Sequence, residues 1–352
     1  MAVPWQDKIS HHAQFGGIET SVLDNGPGRG VRMAWINTGA GLRFKVVIDR
    51  AMDIADAAFN QHNLPWLSHV GVTSPEPFSL HGDDWLRTFG GGLLTTCGLS
   101  HFGPPEVDEH GTRGLHGPIS NQPAELESIV QPDPVQGQME MSLTGRIRES
   151  RIFGPALELK RTISATLGEP SIRIHDEVSN RGNTATPHML LYHCNFGWPL
   201  ADEGTDILWK GSWKSGGRES DDRIFNEGNN FRKCAAPLED HKAGGEAVAF
   251  IDPQERDGNC VCGLYNSKIG IALALRFNKA QLPCLTNWQH FGRGEYVTGL
   301  EPGTNPPTGQ ARARAEKNLI ILEPGETRHY DLEFRIISDK KNILEFLKPY
   351  NL

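Results

Sequence analysis

The sequence predicts an all-β protein, a large antiparallel β-sandwich with one short helix at the C-terminus. Apolar and polar residues alternate along residues 139–147, 157–165 and 171–180, which is the pattern of sheets with one buried face. The chain also contains 39 glycines and 23 prolines, and these favour many turns between short elements. Only residues 339–347 combine a candidate N-cap, Asp339, with helical spacing of apolar side chains.

The length and composition favour a single domain that spans residues 1–352. All-β chains often run long as one domain, and a hydrophobic share of 38% is enough for a real core. The six cysteines are scattered, and the N-terminus lacks the basic-then-apolar pattern of an export signal. We therefore expect free thiols in a reducing compartment and a cytoplasmic location.

The charge pattern excludes two classes of partner. The net charge is -8, with acids and bases interleaved, whereas a nucleic-acid-binding protein needs a basic face. The chain has no polybasic patch and no run of about 18 apolar residues that could span a membrane. We expect a soluble protein without a nucleic-acid or membrane partner, and leave the formation of a homodimer open.

The N-terminal third reads as extended segments separated by glycine turns. Residues 31–37 and 42–49 are two extended runs with Gly39 and Gly41 between them, which predicts a hairpin. Three consecutive glycines at 90–92 would break a helix, and they suit a bend where another group approaches the backbone.

The remaining segments alternate between loops and strands. Residues 71–84 and 100–122 have the composition of loops, and residues 201–259 are polar and irregular, as in an excursion over the rim of a sheet. Alternating strands return in the last quarter of the chain, at residues 269–277, 295–300, 319–322 and 329–337.

One predicted strand, residues 187–200, has two unequal faces. Alternate side chains share a face, so Leu191, His193 and Asn195 point one way while apolar neighbours point the other. A histidine and an amide among apolar side chains are typical of the wall of a cleft. The alternative is that His193 is a core histidine with a satisfied hydrogen bond.

The tetrapeptide Leu-Glu-Pro-Gly occurs twice, at residues 300–303 and 322–325. The second copy lies between two alternating strands, and a Pro-Gly turn explains it. In the first copy Glu301 shares a strand face with Gly299, which leaves space in front of the carboxylate. A ligand needs such space.

Four motifs together resemble the aldose 1-epimerases (galactose mutarotases), and most closely an uncharacterised epimerase-like branch of that superfamily. They are Trp-Leu-Arg-Thr-Phe-Gly-Gly-Gly at 85–92, Leu-His-Gly at 115–117, Tyr-His-Cys-Asn-Phe-Gly at 192–197 and the first Leu-Glu-Pro-Gly. The resemblance implies a β-supersandwich with a sugar site in a cleft on one concave sheet. It also implies an isomerase that interconverts the anomers of a free sugar.

The resemblance assigns roles to four residues. Arg87 is expected to hold the sugar and is a candidate for keeping Glu301 ionised, and His116 is expected to contact hydroxyls near the ring oxygen. His193 resembles the general acid and Glu301 the general base, on opposite sides of one sugar ring. The family's hydroxyl-gripping aspartate has no counterpart in a motif here, although the interval contains Asp202, Asp206 and Asp252.

Three further residues are candidates for sugar binding, and two other functions remain open. Asn195 lies beside His193, and Trp288 and Gln289 lie just upstream of Glu301, where they could stack on and hydrogen-bond to a sugar ring. The mechanism requires no cofactor. One alternative is a metal-dependent sugar isomerase in which His116, His193 and Glu301 bind a divalent cation. The other is a non-catalytic sugar-binding protein on the same fold.

Overall fold

The computed structural model describes residues 8–76 and 81–350. Strands make up 47% of the structure and helices 12%, so the predicted all-β class is confirmed. The predicted loop at residues 71–84 lies partly outside the described residues. No helix within residues 8–76 and 81–350 is long and apolar enough to cross a membrane.

The described residues form 24 strands. The first eight are β1 Gly17–Val22, β2 Arg32–Asn37, β3 Leu42–Val47, β4 Asp53–Phe59, β5 His62–Asn63, β6 Thr95–Leu99, β7 Glu106–Asp108 and β8 Gly111–Arg113. The next eight are β9 Glu125–Val130, β10 Glu140–Ser150, β11 Ala156–Thr166, β12 Ser171–Asn180, β13 Thr186–His193, β14 Asn195–Phe196, β15 Asp206–Leu208 and β16 Gly211–Ser215. The last eight are β17 Ala247–Pro253, β18 Glu255–Arg256, β19 Asn259–Asn266, β20 Ile271–Asn278, β21 Cys284–Gly292, β22 Glu295–Gly303, β23 Ile320–Leu322 and β24 Thr327–Ile337.

Three α-helices are short and lie late in the chain: α1 Glu219–Ile224, α2 Gln310–Ala315 and α3 Lys340–Leu347. Helix α3 is the predicted terminal helix, and the Asp339 side chain caps it by accepting a hydrogen bond from the backbone N–H of Asn342 at 3.1 Å. Single 3₁₀ turns lie at His12–Gln14, Gly26–Gly28, Asp84–Arg87, Ile119–Asn121, Pro134–Gln136 and Lys348–Tyr350.

The strands pair antiparallel in three large sheets. One sheet has the order β1-β2-β3-β4-β5, and a second has the order β15-β19-β20-β24-β12-β11-β10-β9 with β18 beside β19. The third has the order β16-β17-β21-β22-β13-β23, with β14 paired to β22 and β6 paired to β13. Strands β7 and β8 form a separate hairpin.

One continuous hydrophobic core joins these sheets. It contains Phe44 from the first sheet, Leu143 and Leu275 from the second, and Tyr192 and Leu300 from the third. The third sheet thus buries one face in the core. Its other face, on which Met189 and Leu191 project, packs against a smaller cluster of apolar side chains. The candidate site lies on this second face.

Local predictions in the N-terminal part are confirmed. Strands β2 and β3 form the predicted hairpin. The glycines at 90–92 lie close to other backbone segments. A Cβ on Gly91 would be 2.5 Å from the carbonyl oxygen of Trp66, and a Cβ on Gly92 would be 2.7 Å from the carbonyl oxygen of Ile54. The backbone does approach closely there, as glycine permits. All six cysteines are free thiols.

The segment 201–259 is more ordered than the sequence indicated. It contains β15, β16, α1, β17 and β18. Four of these elements are only two to six residues long, and β17 carries apolar residues on both faces, so no alternation is visible in the sequence.

Candidate active site

Strand β13 separates its side chains as the sequence predicted. Leu190 and Tyr192 point into the main core, whereas Met189 and Leu191 join the smaller cluster on the opposite face. His193 ends the strand on this second face. The strand alternation therefore places a polar, titratable group next to an apolar wall.

The register of β14 and β22 brings His193 and Glu301 together. Asn195 pairs with Gly299 in antiparallel register, so His193 and Glu301 lie opposite one another. The His193 Nδ1 and Glu301 Oε1 atoms are 3.4 Å apart. His193 is 6% exposed and Glu301 is 3% exposed, and neither atom has a hydrogen-bond partner in the described part of the chain. The two groups adjoin directly, so no sugar ring fits between these two atoms.

Gly299 makes room for the carboxylate. A Cβ at this position would lie 2.5 Å from Glu301 Oε1 and 3.3 Å from the indole of Trp288. A methyl group at this distance would displace the carboxylate, which is the free end of the Glu301 side chain. The absence of a side chain at residue 299 therefore leaves the space that the Glu301 carboxylate occupies.

Burial sets the electrostatics of the pair. It raises the pKa of Glu301 well above its usual range, and the nearby negative charge of Glu246 adds to this shift. Burial also lowers the pKa of His193 to about 4, although the Asn195 amide opposes the change. Burial therefore favours a neutral imidazole beside a protonated carboxyl, and the pair holds one transferable proton.

Aromatic rings surround the His193 imidazole. Ring centroids lie 5.1 Å away for Phe89, 5.3 Å for Trp288 and 6.1 Å for Trp85. Trp66 extends this wall, with its centroid 6.1 Å from that of Trp288. Apolar ring faces beside a polar pair suit a sugar, which carries both C–H and hydroxyl groups.

His116 completes the site from a loop held in an unusual conformation. Its φ is +57°, in the left-handed region that a non-glycine residue adopts at an energetic cost. Two backbone hydrogen bonds of 3.0 Å hold it there, from His116 N–H to the Gly103 carbonyl and from Gly98 N–H to the His116 carbonyl. Its ring lies 5.7 Å from that of His193, edge-on. Burial lowers the pKa of His116 well below its usual range, so it is a neutral hydrogen-bonding group.

Two of the remaining predicted residues have structural roles. The buried Asn195 amide donates hydrogen bonds to the carbonyl of Gly92 at 3.1 Å and to that of His193 at 3.0 Å. It therefore braces the backbone at the pair. Gln289 points into the core, where its amide bonds to the carbonyl of Phe231 at 2.9 Å. Adjacent strand residues face opposite ways, so only Trp288 reaches the site.

Arg87 does not join the site. Its side chain is 81% exposed and forms a long ion pair of 3.6 Å with Asp84. No hydrogen bond or ion pair among the described residues joins it to Glu301, so it does not keep that carboxylate ionised in this structure. The same 3₁₀ turn supplies Trp85 instead, which is buried and stacks on Phe89 at 4.2 Å.

Sequence reasoning missed Trp85, Phe89, Trp66 and Glu246. The first two are aromatic residues within the motif at 85–92, so their place in that motif could have identified them as site residues. Trp66 and Glu246 lie in segments without a motif. Only the tertiary fold brings them to the site.

The structure offers no metal centre in its described part. No group of three or more His, Cys, Asp or Glu side chains within residues 8–76 and 81–350 is arranged to hold a metal ion. The donors present are a carboxylate and two imidazoles among aromatic rings, an arrangement suited to proton transfer.

A family described as Domain of unknown function (DUF4432) matches residues 28–336, most of the chain. The chain belongs to this family. No curated protein sequence matches it.

Solved structures similar to this DUF4432 chain share its fold. A Klebsiella pneumoniae protein provisionally named an aldose 1-epimerase has a TM-score of 0.84 and 24% identity, covering 93% of this chain and 85% of that one. The galactose 1-epimerase of Lactobacillus acidophilus has a TM-score of 0.59 and 11% identity, covering 91% and 98%. A galactose mutarotase-like protein of Clostridium acetobutylicum has a TM-score of 0.62 and 11% identity, covering 92% and 98%. These likenesses confirm the galactose mutarotase-like fold predicted from the four motifs.

Proposed function

We propose that this chain is an aldose 1-epimerase-type isomerase, which interconverts the anomers of a free sugar by opening and closing its ring. The observation that carries the proposal is the contact between His193 Nδ1 and Glu301 Oε1, 3.4 Å apart and buried on an aromatic-lined sheet face. The shared fold of the named epimerases and mutarotases agrees with it.

The adjacency of the two groups suits the reaction. Anomer exchange removes the proton of the C1 hydroxyl and protonates the ring oxygen. Both oxygens are bonded to C1 and are therefore neighbours. An acid and a base side by side can reach them together, whereas the sequence led us to expect the two on opposite sides of the ring.

The protons accepted and donated by the pair balance over one catalytic cycle. The proton that the pair holds first moves from the Glu301 carboxyl to the His193 imidazole across their 3.4 Å contact. During ring opening Glu301 accepts the proton of the C1 hydroxyl, the C1–ring oxygen bond breaks, and His193 donates a proton to that oxygen. The pair is then a neutral imidazole and a protonated carboxyl, the state that burial favours. After the aldehyde rotates, each group reverses its role and the ring closes on the other face. Such general acid–base help is typically worth ~10²- to 10⁴-fold in rate.

The other residues bind the sugar in this proposal. Trp288 and Trp85 provide apolar surface for the C–H groups of the ring, and His116 offers a neutral nitrogen to a hydroxyl. Asn195 holds the backbone that carries His193. No cofactor takes part in this scheme.

The decisive experiment measures anomer exchange by saturation-transfer NMR for a panel of free aldoses and ketoses. We expect wild type to accelerate exchange of at least one sugar, and His193→Gln and Glu301→Gln each to lower the rate at least ~100-fold. Glu323→Gln is the matched control, because this glutamate lies in the other Leu-Glu-Pro-Gly copy, at the turn between β23 and β24. It should leave the rate unchanged.

Two results would reject the proposal. If wild type accelerates no sugar but binds one, the chain is a sugar-binding protein. If both substitutions leave exchange intact, the pair is not the acid and base.

A further inference from the structure

We propose that Glu246 is a positioning residue, whose carboxylate holds the indole of Trp288 at the angle that forms the sugar-facing wall. This inference rests on the proposed function, since it assigns the wall to a sugar. It concerns a residue that no motif marks, that contacts Trp288 directly and whose charge also acts on Glu301.

The contact between the two side chains is direct. The indole Nε1–H of Trp288 donates a hydrogen bond of 2.8 Å to Glu246 Oε2. Because the acceptor is a carboxylate, the bond is of the stronger, charge-assisted kind. A single directional bond at one edge of the indole removes its freedom to flip about χ2.

Glu246 is itself anchored from the opposite side. Its second oxygen, Oε1, accepts a hydrogen bond of 3.1 Å from Arg218. Arg218 is held in turn by two hydrogen bonds to the buried Asp221 carboxylate, at 3.0 and 2.9 Å. Asp221 also accepts the backbone N–H of Val248 on β17 at 2.8 Å. A chain of charged contacts therefore runs from the sheet backbone to the indole.

The indole then meets the reacting histidine. The Trp288 ring lies at 74° to the His193 imidazole, and at 72° to the ring of Trp66. Trp288 is only partly buried, so packing alone leaves one side of its ring open to the cleft. Glu246 supplies the restraint that packing does not.

The two partners of Glu246 occupy both of its carboxylate oxygens. Its side chain is 40% exposed, yet both of its oxygens are engaged, one by Arg218 and one by Trp288. It is therefore not free to grip a sugar hydroxyl without releasing one of these partners. This separates a positioning role from direct contact with the sugar.

The first test is spectroscopic and does not depend on turnover. In ¹⁵N-tryptophan-labelled protein, Trp288→Phe identifies the Trp288 indole N–H signal. Glu246→Ala should shift that signal and speed its exchange with solvent. Glu246→Gln should restore most of the wild-type signal, because the amide oxygen still accepts the bond. Glu140→Gln, at a glutamate paired with Arg173 on the second sheet, should change nothing.

The second test is kinetic. Glu246→Ala should raise KM about tenfold with kcat within about threefold, the pattern of lost binding to a sugar wall. Glu246→Gln should recover most of this loss. An unshifted indole signal and an unchanged KM in Glu246→Ala would overturn the inference. A failure of wild type to turn over any sugar would reject the proposed function alone, since the indole signal would still decide whether Glu246 positions Trp288.

Discussion

The backbone of Gly299 passes so close to the Glu301 carboxylate that a methyl group on residue 299 would lie 2.5 Å from Oε1. Gly299→Ala should therefore displace the carboxylate from His193 while leaving the strand in place. A displacement of about 1 Å at a reacting group costs roughly 100-fold in rate. We expect kcat/KM for anomer exchange to fall by about this factor, with a circular dichroism spectrum like that of wild type.

A control separates this steric effect from a general cost of losing glycine. A Cβ on Gly244 would meet no atom within 4 Å, so Gly244→Ala should leave kcat/KM for anomer exchange unchanged. Wild-type activity in Gly299→Ala would show that the position of the Glu301 carboxylate does not matter for turnover.

A second prediction concerns the strand that carries His193. The hydroxyl of Tyr192, on the core face of β13, donates a hydrogen bond of 2.7 Å to Asp176. Asp176 is also held by the fully buried Arg161. Tyr192→Phe removes one bond to a buried charged group, and we expect the free energy of unfolding to fall by about 2 kcal/mol. Urea unfolding measures this directly.

Activity should respond differently from stability in that variant. Tyr192 and His193 point to opposite faces, so kcat/KM of the folded Tyr192→Phe protein should stay within about twofold. Tyr265→Phe is the comparison, because the Tyr265 hydroxyl makes no hydrogen bond within the described part of the chain. If Tyr192→Phe is as stable as wild type, the buried network does not anchor β13.

Sequence patterns were sufficient to predict each feature that depends on strand alternation or on a local turn. The two faces of β13, the β2–β3 hairpin and the space that Gly299 leaves for Glu301 all follow from strand geometry. The register between β14 and β22 does not follow from any local pattern. The motif resemblance supplied the pairing of His193 with Glu301 instead.

The failures also have physical causes. Arg87 and Trp85 lie two residues apart in one 3₁₀ turn, and the sequence does not show which of them faces inward. Trp288 and Gln289 are adjacent on a strand, and both were predicted to contact the sugar. Adjacent strand residues point to opposite faces of the sheet, so the two side chains cannot share one ligand. Glu246 reaches the site through a hydrogen bond to a residue 42 positions away, and no spacing rule predicts that contact.

A third prediction concerns acid stability. His188 is fully buried, with its ring nitrogens 2.9 Å from the Leu99 carbonyl and 2.7 Å from the Tyr330 hydroxyl. Burial lowers its pKa to about 4 from the ordinary value of 6.5. The unfolded chain therefore binds this proton first as pH falls. Stability from His188 is complete above pH 6.5 and is lost progressively between pH 6.5 and about 4, by up to ~3 kcal/mol.

Unfolding by urea at several pH values checks this sign. The difference in unfolding free energy between wild type and His188→Gln should be largest near pH 7.5 and should shrink towards pH 4.5. A difference that stays constant with pH would mean that His188 titrates alike in the folded and unfolded chains.

The last prediction decides between Arg87 and Trp85. Arg87 is 81% exposed, and a surface ion pair such as that with Asp84 is worth only about 0–1 kcal/mol, so Arg87→Ala should leave kcat/KM within about threefold. Trp85 lies 4.7 Å from the His116 ring and donates its indole N–H to Ser120, so Trp85→Phe should raise KM. A KM raised about 100-fold by Arg87→Ala would instead mean that the turn rearranges around the sugar and brings the guanidinium onto it, as the family resemblance implies.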